Sequence, residues 1–177
     1  MEKLNCKKDR IYLTGFMGTG KSTVGAYLSR ITSRRIIDTD SIIEKESGIS
    51  IAEIFKSHDE TYFRELERSV LISTFQLKNV IISTGGGLPC YEDNMKLINA
   101  NGISVCLMAR PDVILSRLSF EKNVRPLLHG EDRMEKLNLL MQKRVYYYIS
   151  ADILVDTSDK SIDEIAKYIC AEAGIKK

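Results

Sequence analysis

Residues 15–22 read Gly15-Phe16-Met17-Gly18-Thr19-Gly20-Lys21-Ser22, the complete phosphate-loop pattern G-x-x-x-x-G-K-[ST]. No other stretch restricts the fold as much, because the pattern has physical meaning only between a strand and a helix. Arg10-Ile11-Tyr12-Leu13-Thr14 before it reads as a buried strand, and Val24, Tyr27, Leu28 and Ile31 after it recur at helical spacing. A strand, a glycine-rich turn and a helix gather backbone N–H groups and the positive end of a helix dipole around an anion. In that arrangement Lys21 reaches the β- and γ-phosphates of a nucleoside triphosphate, and the Ser22 hydroxyl ligates Mg²⁺. Gly18, Thr19, Gly20 and Thr23 complete the expected phosphate cradle.

The rest of the chain alternates in the way such a loop requires. Five short apolar runs, 10–14, 34–38, 79–84, 102–108 and 152–156, are rich in Ile, Val and Leu without polar alternation. That is the signature of strands covered on both faces. Helical patterns lie between them, and three helix starts carry a capping-box spacing: Ser41…Glu44, Ser50…Glu53 and Ser161…Glu164. Gly174 stands where the last helix should end. Alternating strands and helices predict a three-layer α/β fold with a parallel sheet and helices on both faces. At 177 residues, one domain spanning 1–177 is expected, with a core that needs neither disulfide nor metal. Two segments exceed the regular alternation. Residues 41–74 hold two or three helices where one crossover would suffice, and read as an acceptor-binding insertion. Residues 119–132 are polar, carry Pro126 and Gly130, and read as a lid.

Composition removes several classes of function. With 26 basic and 24 acidic residues the net charge is +2, which leaves no electrostatic footprint for nucleic acid. Cys6, Cys90, Cys106 and Cys170 form no C-x-x-C pair, and only His58 and His129 are available to join them, so a zinc site is not expected. Scattered cysteines suit a reduced, cytosolic chain. The polar stretch 1–9 has no apolar signal core, and no run approaches the roughly 20 apolar residues of a membrane span.

Three further constellations carry chemistry. The second strand ends in Asp38-Thr39-Asp40, and in open α/β sheets ligands sit beyond the carboxyl ends of the strands. If the segment stays extended, both carboxylates face the same side. One can orient Mg²⁺ and the other accept a proton from a substrate hydroxyl; alternatively, Asp40 only helps to start a helix. The third strand ends in Gly85-Gly86-Gly87, whose entropic cost calls for close approach of a ligand to bare main chain. No Walker B acid follows Val80-Ile81-Ile82-Ser83, so Asp38 is the candidate carboxylate on the metal side. Arg64 can pair with Glu60 on its own helix. Arg125, in the lid segment, can close on the γ-phosphate as an internal arginine finger. Arg144 lies near the end of a helix starting around Asp132, and Arg117 is a further cation.

Taken together, the phosphate loop, Ile37-Asp38-Thr39-Asp40-x-x-Ile43-Glu44, Phe63-Arg64-x-x-Glu67, Gly85-Gly86-Gly87 and Arg125-Pro126-Leu127-Leu128 resemble the shikimate kinase family in order and spacing, from about residue 10 to about 170. The resemblance implies a fold of the nucleoside monophosphate kinase type, with strand order 2-3-1-4-5 and a mobile lid. It implies transfer of the γ-phosphoryl group of ATP to the 3-hydroxyl of shikimate by a monomer. Lys21 and the loop amides would hold the phosphates, and Ser22 and Asp38 would serve Mg²⁺. Asp40 would bind the shikimate hydroxyls and act as the base. Arg64, Arg144 and a Gly86 amide would hold the carboxylate, with Gly85 and Gly87 beside it. Arg125 would reach the phosphates and Arg117 would pack on adenine. Two forked guanidinium groups suit a carboxylate substrate.

Two positions depart from the family. Its R-x-P-x-Y is Arg144-Val145-Tyr146-Tyr147-Tyr148 here, followed one residue sooner by Ala151-Asp152, which bears on where Arg144 points. Asp59 replaces a common glycine before Glu60, a change expected to stay within its loop. A gluconate-type kinase is the competing enzyme, against which the glycine triplet and the Arg64/Arg144 pair speak. An ATP-binding regulatory module is the competing non-enzyme, against which Lys21, Ser22, Asp38, Asp40 and Arg125 speak together. No N-K-x-D motif follows to suggest a GTPase.

Overall fold

The apolar runs around Leu13, Ile81 and Val105 form the centre of a parallel sheet. In a computed structural model, which describes residues 9–119 and 132–175, the strands are β1 (Arg10–Gly15), β2 (Arg35–Asp38), β3 (Val80–Ser83), β4 (Ile103–Met108) and β5 (Ile153–Asp156). They lie in the order β2-β3-β1-β4-β5, all parallel, as the resemblance implied. The helices among the described residues are α1 (Lys21–Thr32), α2 (Thr39–Ser47), α3 (Ile51–Ser57), α4 (Glu60–Ser73), α5 (Asn94–Asn101), α6 (Pro111–Ser119), α7 (Arg133–Tyr148) and α8 (Ile162–Glu172). Each strand boundary falls within one or two residues of the sequence expectation.

The continuous apolar runs are explained by their alternation across the sheet. Ile11, Leu13, Ile81, Val105 and Leu107 pack with Leu28 of α1 and Ile165 and Ile169 of α8 on one face. Tyr12, Val80 and Ile82 pack with Leu71 of α4 and Ile98 of α5 on the other. Cys106 joins Phe16, Ile114 of α6 and Leu137 of α7 farther along that layer. Each such fully buried aliphatic side chain contributes roughly 1.5–3 kcal/mol. Burial is complete only in the centre. Arg35 of β2 and Leu154 of β5 are exposed because these are the edge strands.

Three helices separate β2 from β3, within the two or three expected, and they carry a core of their own from Ile43, Ile54, Phe63 and Val70. Two of the three capping boxes are present, at Ser50 with Glu53 and at Ser161 with Glu164. The third is not. Asp38 caps α2 instead, its Oδ1 accepting from the N–H groups of Asp40 and Ser41, so Ser41 already lies inside the helix. A strand that runs straight into a helix leaves no linker for Ser41 to cap. Asp59 caps α4 through Tyr62 N–H. Gly174 ends α8 in a left-handed conformation, with Ile175 N–H reaching back to the Cys170 carbonyl, as a Schellman motif requires.

Parallel register carries all five carboxyl ends to one edge. Asp38 pairs with Ser83, Ser83 with Leu13, Leu13 with Val105, and Met108 with Asp156. The phosphate loop, Asp38-Thr39-Asp40, the glycine triplet and Thr157 therefore meet along that edge.

Candidate active site

Gly20 begins α1 in the left-handed region (φ 93°) without a side-chain cap, so the helix N-terminus faces the loop open. A β-carbon is disfavoured there. Lys21 Nζ folds back over the loop and donates to the carbonyls of Gly15 (3.0 Å) and Phe16 (2.9 Å). Thr19, almost fully buried, donates to Phe16 O through its hydroxyl at 2.7 Å. These bonds fix the loop around a cleft of about 460 Å³. Gly18 to Val24, Asp38, Asp40, Gly86, Arg117 and Thr157 line it. Thr23 is among these lining residues.

Asp38 and Asp40 both reach this cleft, but not as neighbours on one extended strand. Asp38 is extended (φ −117°, ψ 127°), and Asp40 sits in the first turn of α2. The residue between them was assigned no role from sequence. Thr39 is fully buried, and its hydroxyl accepts the Gly85 N–H at 3.0 Å, locking the end of β3 to the start of α2. Gly85 therefore gives its amide to the protein rather than to a ligand. What it supplies is space: a β-carbon there would stand 2.6 Å from both Asp40 Oδ1 and Glu67 Oε1. Gly87 does the same for Arg64, whose guanidinium passes where its β-carbon would be. Gly86 lines the cleft.

Arg64 makes the expected pair with Glu60 (Nη2 to Oε1, 2.8 Å) and also donates from Nη1 to Glu67. Glu67 belongs to the F-R-x-x-E pattern, yet sequence alone gave it no function. It is 1% exposed, while Glu60 is 68% exposed by side chain. Burial pushes the Glu67 carboxyl up to about 7; Arg64 opposes that shift, Asp40 adds to it and Arg144 subtracts. Burial lowers the Arg64 pKa, but its two carboxylate partners outweigh it and the net shift is upward.

Arg144 reaches this cluster although α7 lacks the family proline. Its guanidinium lies over the Phe16 ring, 5.6 Å from the centroid, and close to Gly86. Tyr148, one turn on, donates to Gly86 O at 2.6 Å and has its own pKa raised by burial. Arg117 donates to Gly18 O (3.3 Å), Thr157 Oγ1 (3.1 Å) and Thr157 O (2.7 Å), which joins the phosphate loop to the end of β5. It also lines the cleft. Thr39, Glu67, Tyr148 and Thr157 are the site residues that the sequence reading missed. Three of them stood inside motifs without a role of their own: Thr39 in Asp38-Thr39-Asp40, Glu67 as the i+3 partner of Arg64, and Tyr148 as the last residue of Arg144-Val145-Tyr146-Tyr147-Tyr148. Arg125 and residues 120–131 of the expected lid lie outside the described residues.

The donor set is compatible with Mg²⁺. Ser22 offers a hydroxyl at the start of α1, and Asp38 keeps Oδ2 beyond the oxygen used for capping. No cluster of three His, Cys, Asp or Glu stands ready for a metal among the described residues. A hydroxyl and a single carboxylate suit a hard cation held mostly by phosphate oxygens and water.

An open five-stranded parallel sheet with a phosphate loop at its switch point, and a carboxylate–arginine cluster facing it from an inserted helix, defines a P-loop small-molecule kinase of the nucleoside monophosphate kinase type. The shikimate kinase family matches residues 17–173. The chain is 45% identical over 159 residues to a shikimate kinase of Caldanaerobacter subterraneus subsp. tengcongensis, covering 90% of this chain and 92% of that one. A solved shikimate kinase from Bacteroides thetaiotaomicron superposes with a TM-score of 0.86 at 34% identity, over 94% of this chain and 99% of that one. One from Acinetobacter baumannii in complex with shikimate gives 0.84 at 33% identity, over 91% and 90%. The chain belongs to the shikimate kinase family.

Proposed function

We propose that this chain transfers the γ-phosphoryl group of ATP to the 3-hydroxyl of shikimate, giving shikimate 3-phosphate and ADP. One observation carries the reading. Asp40 lines the phosphate-loop cleft and also stands against Gly85 with Glu67, so a single carboxylate joins the nucleotide side to the Arg64/Arg144 side. Phosphoryl transfer asks the protein mainly for alignment and positive charge. Lys21 and the amides of Gly18 to Thr23 hold the phosphates. Ser22 and Asp38 would hold Mg²⁺, which when bound neutralises charge between the phosphates. Asp40 accepts the proton of the attacking hydroxyl, and Arg64, Arg144 and Gly86 hold the carboxylate that orients the ring. Arg117, which lines the cleft, is assigned to packing on adenine, and Arg125 to the transferring phosphoryl group on its sequence motif.

We read residues 1–177 as one catalytic domain acting as a monomer in the cytoplasm. Unpaired thiols at Cys90 and Cys106 suit a reducing compartment, and no helix among the described residues is long and apolar enough to cross a membrane.

ADP release from ATP and Mg²⁺, measured with and without shikimate, tests the reading. Strong dependence on shikimate is expected. Release independent of it would move the acceptor to another hydroxylated acid, and no release with ATP binding intact would leave a regulatory module.

A further inference from the structure

Glu67 is the most buried carboxylate of the cluster, and phosphoryl transfer itself gives it no task. It is fully enclosed, yet it shares its surroundings with a second carboxylate. Asp40 Oδ1 and Glu67 Oε1 each lie 2.6 Å from the point a Gly85 β-carbon would occupy, so they are separated by at most twice that distance. Among the described residues, charged and titratable groups reach Glu67 from several elements. Arg64 and, beyond it, Glu60 come from its own helix α4. Asp40 comes from α2 and Arg144 from α7. Cys90 follows the glycine triplet, and its thiol, pushed up to about 11 by burial, is neutral.

The hydrogen bonds of Arg64 divide into two kinds. Nη1 is held by buried Glu67, whereas Nε and Nη2 both point at Oε1 of Glu60, a side chain mostly in water. Glu60 is therefore a displaceable placeholder on the open fork of Arg64, and Glu67 is the fixed anchor behind it. An acceptor carboxylate that takes the fork replaces a solvated charge by a desolvated one next to Glu67 and Asp40. Two arginines would then face three buried negative charges, which a low-dielectric site does not tolerate.

We propose that Glu67 is a positioning residue that takes up one proton from solvent when the acceptor's carboxylate docks on Arg64, and releases it when product leaves. The inference rests on the acceptor reading given above. Burial beside Asp40 pushes the Glu67 carboxyl up to about 7 before the acceptor arrives, so the change is available at physiological pH. Ionised, it aims Arg64 before the acceptor arrives. Protonated, it relieves the repulsion while its neutral carboxyl still accepts from Arg64. The sign follows: the acceptor binds the protonated form better, so affinity weakens as pH rises above about 7, by at most about tenfold per unit for one linked proton.

Calorimetric titration of the full chain with shikimate at pH 7.5–8, in Tris and in Hepes, reads the proton directly, because the two buffers differ in ionisation heat. About half a proton or more per acceptor is expected in the wild type. Shikimate methyl ester, which lacks the charge, should bind weakly and without uptake, and Glu67→Gln should bind shikimate with no uptake and a flat pH dependence. Shikimate binding without buffer dependence, or the same uptake in Glu67→Gln, overturns the proposal and leaves the acceptor assignment standing. Failure of the wild type to bind shikimate overturns both. Where Glu67→Gln folds poorly, Glu67→Asp, which keeps a carboxyl group at a different distance from Arg64 and Asp40, should shift the pH at which uptake occurs; uptake at an unchanged pH overturns the proposal.

Discussion

The phenolic hydroxyl of Tyr148 donates a 2.6 Å hydrogen bond to the carbonyl oxygen of Gly86, so the last turn of α7 is tied to the glycine triplet at the end of β3. Tyr148 is 6% exposed, and the same helix turn carries Arg144 over Phe16. This bond ties the helix turn that carries Arg144 to the glycine triplet without the proline found at the corresponding place in the family. Tyr148→Phe should leave a buried carbonyl unsatisfied and cost about 1–3 kcal/mol. Urea denaturation measures that loss. Steady-state kinetics should show the KM for shikimate rising while the KM for ATP stays nearly constant; equal changes in both would detach Tyr148 from the acceptor side.

Gly85→Ala places a methyl group 2.6 Å from the carboxylate oxygens of Asp40 and Glu67. The backbone of Gly85 is not in the left-handed region, so space alone decides the outcome. One of the two carboxylates must move, and a displacement of an ångström in a reacting group can cost on the order of 10²-fold in rate. We expect kcat/KM for shikimate to fall by about that factor, with nucleotide binding retained. Activity close to wild type would mean that Asp40 is not held where the structure puts it.

Asp38 has two tasks that substitution separates. Asparagine caps a helix about as well as aspartate, so Asp38→Asn should keep the stability of the nucleotide-free protein while activity at limiting Mg²⁺ drops. Asp38→Ala should additionally lose about 1 kcal/mol through the missing cap on α2. Thermal melting and a Mg²⁺ titration of turnover read the two effects. If Asp38→Asn needed no more Mg²⁺ than wild type, Asp38 would be a cap alone.

Lys21→Ala removes the cation that folds over the phosphate loop. The expected loss is about 10²–10³ in kcat, the size typical of removing one preorganised donor from a developing charge. Turnover near wild type would be incompatible with the phosphate-loop assignment.

Arg64→Lys keeps the charge but loses the fork that now spans Glu60 and Glu67. The KM for shikimate should rise far more than that for ATP. The initial-rate measurement that varies each substrate in turn would remove Arg64 from the acceptor side if both KM values rose alike.

Much of this was legible in the chain because the signals are local. The strand–loop–helix around Lys21, the apolar runs and two capping boxes each depend on residues a few positions apart, and all appear where the pattern puts them. Ser41…Glu44 had the same spacing and failed. Its helix starts three residues earlier than a Ser41 cap would give, at the end of a paired strand, so Asp38 was in place to cap first. Spacing states what a residue can do; pairing of β2 with β3 settled which residue did it.

By itself, the sequence determined the class of fold and the phosphate site, since backbone amides, a lysine and a hydroxyl around an anion are arranged by consecutive residues. Only tertiary structure assembled the carboxylate–arginine cluster opposite it. Thr39 meets Gly85, Glu67 meets Asp40, Tyr148 meets Gly86, and Thr157 links Thr19 to Arg117, all across separations of 27 to 138 positions in the sequence. Such contacts leave no periodic trace, because they depend on where the sheet places the carboxyl ends of its strands. The charge state of Glu67 depends on them too. A glutamate on an amphipathic helix reads as an ordinary surface residue until packing removes its water.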